Sequence, residues 1–374
     1  MAMDVPPLYR IRGRLTASVR LTDHRAGFVR KRTILKDGGM TKKSELYRIF
    51  IERMEAASKE GHRLEAAWYA YAVIDLGTLP RHESSRALGI NNTGVVVGES
   101  TQGFINQHAC VWDTFGNAQE ITSANSSVAL SISNAAHMVG MSGNEGWMFH
   151  EEVLHNLGSL GGPFCAPYCV NDSGVVVGVS FTQKYENHAF LWRDGTMIDL
   201  FPKLHYSVAT AINERSDVVG FFQSTSPVGI STVAFLRSTH GELVELASLG
   251  GAHSIASDVN DHGLVVGHSW LSTGYHHACL WRDGTVFDLG TLWGNNSEAY
   301  AVNNAGMVIG SSGDSFFLWS EEGDMVDLRD LIGPTNFRLE QITDINDRGD
   351  IVGWGYFAHS PHHHAVLLRR HCFH

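Results

Sequence analysis

One short text recurs seven times in this chain, and no other feature limits its fold so tightly. Anchored on the glycine that ends a β-branched run, it stands at Gly98, Gly140, Gly178, Gly220, Gly267, Gly310 and Gly353. The intervals are 42, 38, 42, 47, 43 and 43 residues. Eight positions before each anchor stands Ile90, Ile132, Val170, Ile212, Val259, Val302 or Ile345. The next column reads Asn91, Ser133, Asn171, Asn213, Asn260, Asn303 and Asn346. Four positions before the anchor are Gly94, Ala136, Gly174, Ser216, Gly263, Gly306 and Gly349. In-register copies at this period mean one supersecondary unit repeated, each burying its apolar face on the next.

Each column has a backbone reason. An Ile or Val, then Asn-(Asn/Asp)-x-Gly, then a β-branched run reads as strand, tight turn, strand, with an Asx turn and a glycine at positive φ. About ten residues on, a second hairpin follows: His188-Ala189-Phe190-Leu191-Trp192, Asp194-Gly195, Met197-Ile198-Asp199-Leu200. It recurs around Cys110-Val111-Trp112, Cys279-Leu280-Trp281 and Phe317-Leu318-Trp319. Each repeat therefore holds four short strands, named a to d here. Four-stranded units at this spacing predict an all-β fold, a seven-bladed β-propeller spanning residues 71–374. The last repeat runs out of chain after strand c, while Val73-Ile74-Asp75-Leu76-Gly77 matches the strand-d text Phe287-Asp288-Leu289-Gly290. The expectation is that the first strand completes the last blade and leaves no open edge in the ring.

The repeat text, Asp-Leu-Gly-Thr-Leu followed by Ile-Asn-x-x-Gly-x-Val-Val-Gly-x-Ser and His-Ala-Phe-Leu-Trp, resembles the HAF repeat family over about residues 71–370. The full tripeptide is His188-Ala189-Phe190, and His-Ala alone stands at His108, His277 and His364. The resemblance implies an extracellular repeat without an established activity. It is unlike WD40 repeats, since Trp-Asp occurs once, at Trp112-Asp113.

Charge divides the chain. Residues 1–66 carry 15 Lys+Arg and 8 Asp+Glu, whereas residues 67–374 carry 13 and 31. The acidic body argues against nucleic acid as a partner, because phosphate binding needs a basic footprint. Residues 1–40 read as a basic extension without a fold of its own; a basic arm for nucleic acid or anionic lipid is the alternative. In residues 41–70, Leu46, Ile49, Phe50, Met54, Ala57, Leu64 and Trp68 recur at helical spacing, predicting a short amphipathic helical segment before the propeller. No stretch is long and apolar enough for a membrane-spanning helix. No leader is visible, so the expected compartment is cytoplasmic, with leaderless export as the alternative that the resemblance implies. Five widely spaced cysteines do not form a disulfide framework.

The a–b and c–d turns are tight and share one face; the d–a and b–c loops share the other. Function collects on variable loops over a rigid scaffold, so the second face is the candidate surface. Its expected ligand-contacting residues are Phe104, Tyr185, Phe222, Trp270, Tyr275, His276 and Tyr356. The Trp column and Cys110 and Cys279 read as core, and the His-Ala histidines as structural hydrogen-bonders. Zinc-type ligand spacing is absent, and no metal or cofactor is expected. The favoured function is non-catalytic recognition of a protein or glycan. The alternative is a glycosidase- or lyase-type propeller enzyme using Glu83, Glu186, Glu298 and Glu340 near the channel. Retaining glycosidase chemistry would need two such carboxyls about 5 Å apart.

Overall fold

A computed structural model describes residues 70–371, apart from 104–105, 227–228 and 334. The expected basic extension, the helical segment and Phe104 lie outside the described residues. What is described is a β-propeller of four-stranded antiparallel units. Among the described residues one short helix, Leu328–Ile332, interrupts the strands. Among the described residues no helix is long and apolar enough to cross a membrane.

Five of the sheets are separate and four-stranded, and a sixth has eight strands. This corrects the expectation of seven separate blades. In the fourth repeat, strands b and c each run nine residues, Val218–Ser226 and Gly229–Arg237. The added length carries Thr232 to strand a of the fifth repeat, where it pairs in parallel with His253. Its N–H donates to His253 Nδ1 at 3.1 Å. That one bridge fuses the fourth and fifth units into the eight-stranded sheet.

The anchor glycines follow from close approach rather than from turn geometry. Strand a carries a bulge near its end in every repeat, for example between Ala256 and Asp258. A Cβ on Gly267 would sit 2.0 Å from the Ile255 carbonyl oxygen, and one on Gly353 equally close to that of Gln341. No side chain fits there, so the position is glycine in all seven copies. The turn column is different. Gly94, Gly174, Gly263, Gly306 and Gly349 have positive φ, and Ala136 (63°) and Ser216 (64°) are forced into the same region.

The asparagine column does two things. Asn91 Oδ1 accepts from the N–H of Thr93 and Val95, which holds its own turn, while Nδ2 donates to the Ser133 carbonyl of the next repeat. The same inter-repeat bond runs from Asn171 to Asn213, Asn213 to Asn260, Asn260 to Asn303, Asn303 to Asn346, and Asn346 back to Asn91, at 3.0–3.2 Å. The bond expected of repeat two is replaced, because Ser133 turns to His137. A hydrogen-bonded belt thus passes through buried amides from repeat three round to repeat seven and across the closing seam to repeats one and two, and is open between repeats two and three.

Closure matches the sequence expectation. The first strand, Tyr71–Gly77, pairs antiparallel with the last, His363–Arg370, as the fourth strand of the last sheet. The core lies between sheets. At the seam of repeats seven and one, Leu76, Ala87, Ile90, Cys110, Trp112, Val352 and Leu367 pack together. Trp112, Trp281, Cys110 and Cys279 are almost completely buried, as the column reading required.

Candidate functional site

On the tight-turn side the seven inner strands leave a cavity of about 170 Å3 on the ring axis. The turn side chains bond sideways to their neighbours and leave the axis open. Those side chains are largely committed to one another. Asp347 Oδ1 accepts the Asn304 N–H, Asn304 Oδ1 that of Asp261, Asp261 Oδ1 that of Glu214, and Asn92 Oδ1 that of Asp347, at 2.8–2.9 Å.

Further along the inner strands from the turns sit Asp258 and Asp344, which sequence reasoning passed over. Asp344 Oδ2 accepts the Ile90 N–H across the closing seam, and Asp258 Oδ2 accepts that of Val302, both at 2.8 Å. Each carboxylate also caps the N–H of the residue that follows it. Burial pushes Asp258 up to about 6 and Asp344 to about 7, against the lowering effect of these N–H groups. They strap inner strands together across seams. The equivalent residues elsewhere are Gly89, Ser131, Cys169, Ala211 and Ala301, so the column gave a small residue as its rule.

The His-Ala histidines have a structural role. Nδ1 meets a strand-d carboxylate in four repeats: His108 with Glu120 (2.6 Å), His188 with Asp199 (2.7 Å), His277 with Asp288 (2.8 Å) and His364 with Asp75 (3.0 Å). The following alanine donates its N–H to a serine of the next repeat: Ala109 to Ser127, Ala189 to Ser207, Ala278 to Ser297 and Ala365 to Ser85. The motif pins strand c to strand d and to its neighbour. Among the described residues, no group of His, Cys, Asp and Glu is arranged to hold a metal ion.

The loop face distributes the expected contact residues unevenly. Phe222 is a correction: strand b of its repeat extends through it, and it is buried against Phe201 and Phe235. Trp270 and Tyr356 also fall in strands rather than loops. Tyr356 is half-buried with the Arg338 guanidinium 5.2 Å from its ring centre. Trp270 is half-buried among His253, His268 and His276, with ring centres 4.9–5.3 Å away. Burial holds His268 down at about 4, so it is neutral at pH 7. Tyr185 and Tyr275 are exposed, at 59% and 46%. Tyr185 sits at a φ of 62°, an uncommon conformation for a bulky residue, which fixes its direction on the turn.

Three of the four glutamates of the enzyme reading are engaged, each with a different partner. Glu186 accepts from His205 (2.7 Å), Glu298 pairs with His276 (3.1 Å), and Glu340 pairs with Arg338 (2.6 Å). The His205 and His276 bonds hold Glu186 and Glu298 below the usual carboxylate range. Glu83 is exposed on a loop tied by its N–H to the Thr101 carbonyl. The structure brings to this face an aromatic that the sequence reading missed, Trp293, 64% exposed on the d–a loop between repeats five and six. Its signal was available: it is a large aromatic outside every repeated column.

No protein family matches the chain, and no curated protein does. Solved structures do. The β-propeller domain of the Trilobed protease from Pyrococcus furiosus, described as an open velcro topology, aligns at a TM-score of 0.55 and 10% identity. The alignment covers 76% of this chain and 96% of that domain. The acylaminoacyl peptidase of Pyrococcus horikoshii aligns at 0.52 and 11% identity, covering 79% of this chain and 52% of the peptidase. This chain thus spans about half of that enzyme. At such identities the likeness shows the β-propeller fold alone.

Proposed function

We propose that this chain is a non-catalytic recognition propeller of seven units, counting the eight-stranded sheet as two, that binds a protein or glycan on its d–a and b–c loop face. The observation that carries this reading is the contrast between the faces. The tight-turn face spends the polar groups of its inner turns on an internal belt and shows an exposed aromatic, Phe115 on an outer c–d turn, while the loop face gathers Tyr185, Tyr275 and Trp293 standing exposed on short anchored loops. Large exposed aromatics on a rigid frame are the usual anchors of recognition, since they bury area at little conformational cost. The separate engagement of Glu186, Glu298 and Glu340 favours binding over catalysis. The His-Ala columns support kinship with HAF repeats, and the basic residues 1–40 and the amphipathic segment 41–70 belong to the proposal as appendages to the ring.

The test applies the full chain to a glycan array and to affinity capture, with each captured protein purified and rebound. Tyr185→Ala/Tyr275→Ala should weaken binding at least tenfold, while Asn92→Ala/Asp347→Ala on the tight-turn face should leave it within twofold. The reverse pattern contradicts the reading, as does turnover of any bound glycan.

A further inference from the structure

The top of repeats five and six gathers groups that the ring itself does not require. Trp293 stands on a loop whose backbone is fixed at several points. Its N–H and that of Leu292 donate to Ser312 Oγ, and Thr291 Oγ1 donates to the Gly294 carbonyl. From that loop Asn296 reaches both ways. Its carbonyl accepts the Gly313 N–H, and its side-chain oxygen accepts the His276 N–H at 3.1 Å. His276 follows the exposed Tyr275, and its Nε2 meets Glu298 Oε1. The Asn296 amide therefore links the loop of Trp293 to the backbone beside Tyr275, and the His276 imidazole carries the contact on to the Glu298 carboxylate.

The character of this surface selects among ligands. The exposed residues beside the two rings are Ser272, Thr273, Gly274, Gly294, Asn295 and Asn296, all small or polar. A protein hot spot needs a contiguous apolar centre that excludes water, and these loops offer none. Isolated ring faces beside amide and carboxylate oxygens suit a pyranose, which presents a C–H face to an aromatic ring and hydroxyls to planar polar groups. The His276 hydrogen bond holds Glu298 below the usual carboxylate range, and burial keeps neighbouring His268 neutral at pH 7. The body around it is strongly acidic. Uronate, sulfate or phosphate groups would be repelled.

We infer that the loop face of repeats five and six is a binding subsite for a neutral glycan, with Trp293 and Tyr275 as ring platforms and Glu298 and Asn296 as hydroxyl acceptors. The inference rests on the recognition reading and narrows it to one ligand class and one sector of the ring. Its test is affinity electrophoresis of the full chain in gels containing laminarin, mannan or xylan, with polygalacturonate as the acidic comparison. At least one neutral polysaccharide should retard the protein, and polygalacturonate should not. Trp293→Ala should weaken that retardation tenfold or more, Trp293→Phe should restore most of it, and neither should move the melting temperature by more than a degree or two. Retardation by polygalacturonate equal to that by the neutral gels overturns the inference. So does retardation that survives Trp293→Ala; if Tyr185→Ala then abolishes it, recognition by the loop face stands and only this sector is wrong. Absence of retardation in every neutral gel also overturns the inference, leaving the recognition reading to captured proteins.

Discussion

Replacing Asn303 by alanine tests the belt that joins the repeats. Asn303 is 3% exposed; its Nδ2 donates to the Asn346 carbonyl at 3.0 Å and its Oδ1 accepts the Met307 N–H at 2.9 Å. The variant loses two buried hydrogen bonds, each worth about 1 kcal/mol net. It also strands the Met307 N–H, with a desolvation penalty of about 1 kcal/mol or more, while the Asn346 carbonyl keeps the Gly349 N–H. The expected loss is about 3 kcal/mol, read by urea or guanidinium unfolding at constant m-value. Repeat two supplies an internal control, because Ser133 accepts the His137 N–H of its own turn in place of an inter-repeat bond, and Ser133→Ala should cost less, about 1–2 kcal/mol. A loss below about 1 kcal/mol for Asn303→Ala would refute the reasoning, since it would mean that the belt forms without holding the ring. A double-mutant cycle with Asn260→Ala, whose amide donates to the Asn303 carbonyl, should show coupling above about 0.5 kcal/mol.

Two other expectations follow from single residues. Burial raises Asp258 to about 6 and Asp344 to about 7, so the folded state binds more protons than the unfolded chain between about pH 4 and 7. Stability should therefore fall as pH rises through that window and level off above it. Asp344→Asn, which can still accept one N–H, should flatten that slope and raise stability at pH 8 by roughly 2–4 kcal/mol; an unchanged slope from pH 4 to 8 would reject this assignment. Ala136→Gly and Ser216→Gly relieve positive φ at 63° and 64°, and each should raise stability by roughly 1 kcal/mol in thermal unfolding, whereas a lowered melting temperature would show the strain argument to be wrong.

What was legible in the sequence was whatever a repeat needs locally. The Asn-x-x-Gly turns, the buried tryptophans and the match of Val73–Gly77 to strand-d text could be read because their causes lie within one hairpin or recur in register. The anchor glycines were visible, but their reason was not, because the carbonyl that excludes a Cβ belongs to a bulge in the paired strand. The serines that receive alanine N–H groups, such as Ser127 and Ser297, were equally visible, but their partners lie a repeat away and are backbone atoms. Asp258 and Asp344 escaped notice because a column of small residues hides an occasional carboxylate, and only the seam shows that it straps a neighbour. Phe222 was misplaced because strand b of the fourth repeat runs longer than its siblings, turning an expected loop aromatic into core. The fusion of the fourth and fifth units has the same cause.

The ring is closed by its first strand. Tyr71 pairs with Arg370 and Ile74 with Leu367, and Tyr71 is buried at the seam. The most direct measurement compares thermal unfolding of chains beginning at residue 70 and at residue 80. Removal of the strand takes the outer partner from His363–Arg370, uncovers Val366 and Leu368, and leaves His364 without Asp75. The chain beginning at 70 should unfold cooperatively at the temperature of the full chain, and the chain beginning at 80 should melt well below it or aggregate. Equal melting temperatures for the two would contradict closure of the ring by the N-terminal strand.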